Sequence, residues 1–161
     1  MDINWIDLIV TPLFGAGVGF AVWYFQSRIE KIRREKEKLH DERRKIYVSI
    51  LEPFIRAFAG IKSPKESQKA IKMMASFDYK KTAVELNLYG SDKVVRAFNK
   101  MMQYIYIMGD EERGAEESAE MLRLWGTLLL EIRKNLGEEN TKLSHREMLE
   151  SQMKDIGKLL P

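Results

Sequence analysis

The apolar residues of this chain are concentrated at its beginning, and the chain becomes densely charged from Arg28 onward. Ile6 to Phe25 is a run of about 20 residues in which Asp7 is the only side chain that is charged at neutral pH. As a helix this run would be about 30 Å long, which matches the hydrocarbon core of a bilayer. A buried core helix would normally show a polar stripe, and a cleavable signal peptide would begin with basic residues; this run shows neither. The pattern therefore predicts a single transmembrane anchor over residues 1–26.

The charges beside the apolar run predict its orientation. No Lys or Arg precedes the run, whereas nine Lys and Arg residues lie between positions 28 and 45. Because basic residues next to a span stay on the cytoplasmic side, we expect a protein of the inner (cytoplasmic) membrane with its N-terminus outside and its remaining chain in the cytosol. The net charge of +3 comes largely from this segment, which favours anionic lipid headgroups over nucleic acid as partner. The cations expected at the headgroups are Arg28, Lys31, Arg33 and Arg34.

A heptad pattern follows the apolar run. Apolar residues recur at alternating intervals of four and three from Phe25 to Ile50, with cations at two of the positions, and no turn residue interrupts the pattern before Pro53. We therefore expect the anchor and a stalk over residues 27–45 to form one long helix. The face that would pair with other copies, called the stalk seam below, consists of Ile29, Ile32, Lys36, Leu39 and Arg43. The alternative is a single solvated helix supported by ion pairs between residues four apart.

Small residues within the anchor also favour self-association. Gly15 and Gly19 are four residues apart, and Ala16 lies beside the first of them. Small residues at this spacing let the backbones of two membrane helices approach closely. Because the motif precedes a heptad stalk, the sequence predicts a homo-oligomer.

The remaining residues, 46–161, predict a cytosolic bundle of four or five helices, so that the whole chain is all-α. Apolar residues recur there at intervals of three and four, and residues that start or stop helices separate the runs. The expected starts are a capping box at Ser63, a cap at Ser91 and a second capping box at Ser144. An interruption is expected near Phe77 to Tyr79. The glycines expected to end helices are Gly90, Gly109 and Gly137.

Catalytic, metal-binding and cofactor-binding residues are not expected. The chain contains no cysteine, which excludes disulfides and thiolate metal sites. Glu37 and His40 form one Glu-x-x-His pair, but a di-iron bundle needs two such pairs. Arg34 and His40 match a loose pattern of helical-bundle RNases, yet they lie on a charged helix beside the predicted membrane. The acidic run that begins at Asp110 is explained by carboxylates stabilising a helix N-terminus.

Two segments carry a resemblance to known proteins. Residues 88–98 (LYGSDKVVRAF) and 128–137 (LLLEIRKNLG) resemble segments of uncharacterised small prokaryotic proteins with an N-terminal membrane helix and a helical cytosolic domain. The resemblance covers the C-terminal half of the chain. It implies the architecture of an anchor followed by a bundle, and it implies no activity and no functional residue.

Three classes of function are compatible with these patterns. The first is a membrane-anchored, self-associating interaction or scaffold module, which would contact membrane lipid, further copies of itself and an unidentified cytosolic protein. The second is a membrane-perturbing effector of the bacterial defence or toxin type, whose membrane helices assemble under control of the cytosolic bundle. The third is a helical-bundle RNase, which is the least favoured because its pattern arises easily where arginines are dense.

Overall fold

The computed structural model describes residues 5–59, 63–109, 114–153 and 156–160, with side chains from residue 22 onward except those of residues 59, 64 and 67. Within this part all regular structure is helical, which confirms the all-α class. The helices are α1 (Trp5–Ala59), α2 (Pro64–Ala75), α3 (Phe77–Tyr89), α4 (Asp92–Met108), α5 (Ala115–Asn135) and α6 (Ile156–Leu159). The chain divides into two units, Met1–Asp41 and Glu42–Pro161. The second unit is called the bundle domain below.

The predicted transmembrane anchor lies almost entirely outside the residues whose side chains the structure describes. The same holds for the surroundings of Gly15, Ala16 and Gly19. A search limited to the described residues finds no helix that is both long and apolar enough to cross a membrane.

Helix α1 continues past the proline at which the sequence suggested a change. A proline can kink a helix or open a new one at its first turn, and a new start at Pro53 is excluded because α1 runs on to Ala59. Pro53 is buried within the bundle domain. Packing against the rest of the domain therefore outweighs the loss of one backbone hydrogen bond at the proline.

The boundaries between α2, α3 and α4 follow the expected capping chemistry. Helices α2 and α3 meet at Ser76, whose hydroxyl accepts a hydrogen bond from the backbone of Tyr79 at 3.2 Å. Ser91 similarly accepts from the backbone of Val94 at 3.5 Å and begins α4. Both interactions satisfy a backbone N–H group that has no partner within its helix. The interruption that the sequence predicted near Phe77 is thus confirmed one residue earlier.

The glycines end helices for two different reasons. Gly109 and Gly137 adopt positive φ angles of 55° and 115°, as expected of glycine after a helix. Gly90 was expected to do the same, but this is wrong, because its φ is −67°. A Cβ atom at Gly90 would lie 2.5 Å from the carbonyl oxygen of Leu86, so close approach of the backbone explains this glycine.

Of the two predicted capping boxes, the one at Ser144 forms and the one at Ser63 does not. Helix α2 begins beside Ser63 as expected, but the Ser63 side chain makes no capping hydrogen bond. At Ser144 the box is complete, since Ser144 N donates to the Glu147 carboxylate at 2.7 Å and Glu147 N donates to the Ser144 hydroxyl at 3.2 Å. The hydrogen bond from Ser144 N and a second one from the Ser144 hydroxyl, at 2.8 Å, lower the pKa of the Glu147 carboxyl because they stabilise its charged form.

The prediction of a last helix that begins after Ser144 is wrong. Residues 145–152 form successive turns, and among the described residues that follow them the helical segment is Ile156–Leu159. The reason lies in packing against α5, where a Cβ atom at Gly126 would meet the carbonyl group of His145, with its carbonyl carbon at 2.9 Å. The backbone of the turns thus packs directly against α5. This tertiary contact outweighs the preference of the local sequence for a helix.

Helix α5 lies at the centre of the bundle domain. Its Trp125 is fully buried, and Phe54 and Phe58 of α1 pack on the indole with ring centroids 5.0 and 5.6 Å away. Helix α3 is fixed through Tyr79, whose buried hydroxyl donates to the carbonyl oxygen of Ile50 at 3.3 Å. Burial raises the pKa of Tyr79. The core residues on α5 are Met121, Leu122, Leu124, Trp125, Leu128 and Ile132.

The contact between Gly126 and His145 generates a prediction. Gly126→Ala should lower the free energy of unfolding by about 1–3 kcal/mol because the new methyl group would overlap backbone atoms that cannot rotate away. This loss is expected even though alanine favours a helix over glycine by about 1 kcal/mol. Denaturant unfolding followed by circular dichroism measures the change.

Thr127→Ala is the matched control, since the Thr127 hydroxyl contacts only the Arg123 carbonyl of its own helix, at 2.7 Å. Its stability should stay within about 0.5 kcal/mol of the original chain. An increase in stability for Gly126→Ala would contradict the described approach of the turns to α5.

Candidate interaction surfaces

The stalk seam lies exposed along α1. Ile29, Ile32 and Leu39 keep 64%, 53% and 41% of their surface accessible, and Lys36 is exposed between them. Among the described residues of the unit Met1–Asp41, no second element covers this face. A row of large apolar side chains open to water is typical of a surface that meets a partner.

The continuation of the same heptad register enters the core of the bundle domain. Ile46 and Ile50, the next apolar positions in the sequence pattern, are 7% and 0% exposed. Arg43, the last residue of the predicted seam, is half-buried there and donates a hydrogen bond from Nε to the carbonyl oxygen of Tyr89 at 2.6 Å. The structure thus places Arg43 in a contact between α1 and the end of α3, and its role in pairing copies stays a prediction.

Exposed ion pairs run beside the seam. Arg34 contacts Glu30 at 2.7 Å, and Arg33 contacts Glu37 at 2.9 Å, each four residues apart. Exposed pairs of this kind contribute about 0.3–0.5 kcal/mol to helix stability. These ion pairs stabilise the stalk helix whether it is alone or paired. They therefore do not distinguish a self-associating stalk from a single solvated helix.

The residues predicted to contact lipid headgroups are all accessible. Arg28 lies over the ring of Tyr24, 5.6 Å from its centroid, and its Nη2 donates to the Tyr24 hydroxyl at 3.3 Å. Lys31 is exposed, and the partners of Arg33 and Arg34 are themselves exposed carboxylates. An anionic headgroup can readily replace the carboxylate in such a pair, because water screens the attraction between exposed charges strongly.

A polar cleft in the bundle domain is the second candidate surface. It has a volume of about 510 Å³ and lies where α4 begins and α5 ends. The Tyr47 hydroxyl, which belongs to α1, donates to Asn135 Oδ1 at 2.6 Å and accepts from the backbone of Ser91 at 3.3 Å, so three helix segments meet here. The sequence pattern gives no sign of this role for Tyr47. The cleft is lined by Ser91, Asp92, Lys93, Glu131, Lys134, Asn135, Glu139 and Asn140.

The cleft and the histidines offer no recognisable catalytic arrangement in the part of the chain that the structure describes. The cleft carries three carboxylates and two lysines, and one lysine is already paired, since Lys134 contacts Glu131 at 2.9 Å. No group of His, Asp or Glu there could hold a metal ion. His40 lies exposed on α1, while the Arg34 guanidinium of the RNase pattern is paired with Glu30. The RNase hypothesis stays an untested prediction.

Comparison of the chain with protein-family models, with curated proteins and with solved structures gives no match in any of the three. The resemblance of residues 88–98 and 128–137 to small prokaryotic membrane proteins therefore gains no support from them. The case for function rests on the surfaces themselves.

The hydrogen bonds of Tyr47 generate a prediction. Tyr47→Phe should lower the free energy of unfolding by about 1–3 kcal/mol, because Asn135 Oδ1 and the Ser91 N–H group lose their partner. Tyr106→Phe removes the same hydroxyl from a side chain that is 67% exposed, and its stability should change by less than about 0.5 kcal/mol. Thermal unfolding of both variants tests the difference, and equal midpoints would rule out a stabilising role for the Tyr47 hydroxyl.

Proposed function

We propose that the chain is a membrane-anchored, self-associating helical module that holds its bundle domain at the cytoplasmic membrane surface as an interaction scaffold. The apolar segment Ile6 to Phe25 is the anchor, and the basic residues that follow it contact anionic headgroups on the inner leaflet. The stalk seam joins copies of the chain. A cytosolic protein bound by the bundle domain would thereby be recruited to the membrane in several copies.

The exposure of the stalk seam is the observation that carries this proposal. Burying a large aliphatic side chain fully contributes about 1.5–3 kcal/mol, and Ile29, Ile32 and Leu39 each leave much of that free energy unused in a single chain. Their heptad spacing matches the surface that a second identical helix presents. Lys36 within the row weakens the pairing but restricts its register.

The anchor is supported by sequence alone. Ten of its residues are Ile, Leu, Val or Phe, each of which favours insertion by about 0.3–0.6 kcal/mol at the centre of a helix. The effector alternative depends on Gly15 and Gly19, and the structure does not describe the side chains around them. No contact in the described part favours it.

The role of the stalk seam predicts the mass of the complex. The full chain in mild detergent should be an oligomer, and Ile29→Asp should convert it largely to a monomer because a carboxylate would be buried between the helices. Light scattering coupled to size-exclusion chromatography measures the protein mass. Ser27→Asp adds the same charge two residues away and off the seam, so it should leave the oligomer intact.

Two results would count against the stalk seam. One is a monomeric original chain across the accessible concentration range. The other is an equal loss of oligomer in Ile29→Asp and Ser27→Asp, which would show that added charge and not the seam is responsible.

The orientation of the chain predicts where introduced thiols can be labelled. Because the sequence has no cysteine, Asp2→Cys and Ser151→Cys each carry a single thiol. In intact cells a membrane-impermeant maleimide should label the thiol at position 2, and it should reach the thiol at position 151 only after lysis. Ser151 is exposed in the bundle domain, so burial would not protect it. Labelling of position 151 before lysis, or recovery of the chain without detergent, would refute the proposed topology.

A further inference from the structure

Helix α3 carries apolar residues on two opposite faces. One face packs onto the bundle domain through Tyr79 and Leu86, which are 5% and 0% exposed. The other face leaves Phe77, Val84 and Leu88 with 79%, 56% and 71% of their surface accessible. No described element of the chain covers this second face, so a single copy leaves these side chains in water.

The exposed face has the spacing of a coiled-coil seam. Together with Lys81, which lies between them, the three residues are separated by intervals of four, three and four; the set is called the α3 stripe below. In heptad terms Phe77 and Val84 occupy d positions, and Lys81 and Leu88 occupy a positions. Tyr79 and Leu86 then fall at f positions, which face away from a partner helix. The helix can therefore pair through the stripe while it stays packed on its own domain.

The charges beside the stripe select the partner. Lys80 occupies a g position, and Glu85 occupies the e position of the next heptad; both are accessible to a partner. In a parallel pair of identical helices, the g side chain of one helix meets the following e side chain of the other. Lys80 of one copy would thus meet the partner's Glu85, and the reverse pair would form by symmetry. In an antiparallel pair e positions face each other, which would place Asp78 and Glu85 opposite carboxylates.

We propose that the α3 stripe pairs with the α3 stripe of a second copy of the chain, parallel and in register. The interface is distinct from the stalk seam. A seam of this length is weak on its own, so the inference rests on the proposed function in one respect, namely that the stalk raises the effective concentration of the two bundle domains.

Cysteine cross-linking of the full chain in detergent tests the pairing. In a parallel pair each d residue meets its own counterpart, so Val84→Cys should form an intermolecular disulfide on mild oxidation. Ile32→Cys, at a d position of the stalk seam, reports separately on the stalk. Asn99→Cys, an exposed position on α4, reports random collisions and should stay uncross-linked. Val84 and Asn99 are both accessible, so neither change should disturb folding, which circular dichroism confirms.

A charge exchange tests the register. In the Val84→Cys chain, Lys80→Glu should reduce cross-linking roughly five-fold or more, since two attractive pairs become repulsive. Adding Glu85→Lys to that variant should restore it. Failure of the restoration would refute the parallel register.

The cross-linking results separate the two proposals. Disulfides at both position 32 and position 84 support both. A disulfide at position 32 alone overturns the α3 pairing and leaves the stalk intact. A disulfide at position 84 alone overturns the stalk seam and shows that the α3 stripe pairs without help from the stalk. Cross-linking at position 99 equal to that at position 84 also overturns the α3 pairing, because it would reflect collision only.

Discussion

The packing of aromatic rings around Trp125 is the interaction on which the bundle domain depends. Phe54 and Phe58 fix the last turns of α1 against the indole, and the buried leucines of α5 belong to the same core. Aromatic contacts of this size contribute both buried area and about 0.5–1.5 kcal/mol per pair beyond it. This core buries one face of α1 within the bundle domain and one face of α3. The apolar residues of these helices that do not belong to the core stay exposed to water.

Some of the exposed apolar residues form two rows. Ile29, Ile32 and Leu39 form one row with heptad spacing, and Phe77, Val84 and Leu88 form another. Single exposed apolar side chains are normal on any protein, but rows at the period of a coiled coil are not explained by chance scatter. Each row has the geometry that a matching helix fills, and both proposals of self-association follow from that geometry.

The sequence predicted most helix boundaries correctly because caps, glycines and apolar periodicity act locally. Prediction from the sequence failed where a tertiary contact determines the local structure. The turns after Ser144 follow from the approach of His145 to Gly126, and no local signal encodes that approach. The outer face of α3 was also missed, since apolar residues on two faces blur the helical period. The hydrogen bonds of the Tyr47 hydroxyl with Asn135 and Ser91 could not be predicted either, because these residues are far apart in the sequence and meet only in the folded domain.

Both rows place a lysine at an a position, Lys36 in the stalk and Lys81 in α3. An aliphatic residue there would strengthen pairing but would also permit other registers and strand numbers. Between two helices a lysine can lay its stem along the partner and still reach water with its ammonium group, whereas a larger bundle would enclose the charge. The lysines thus lower the stability of each seam and favour two strands. Two such seams on one chain offset the loss, because pairing at one raises the effective concentration at the other.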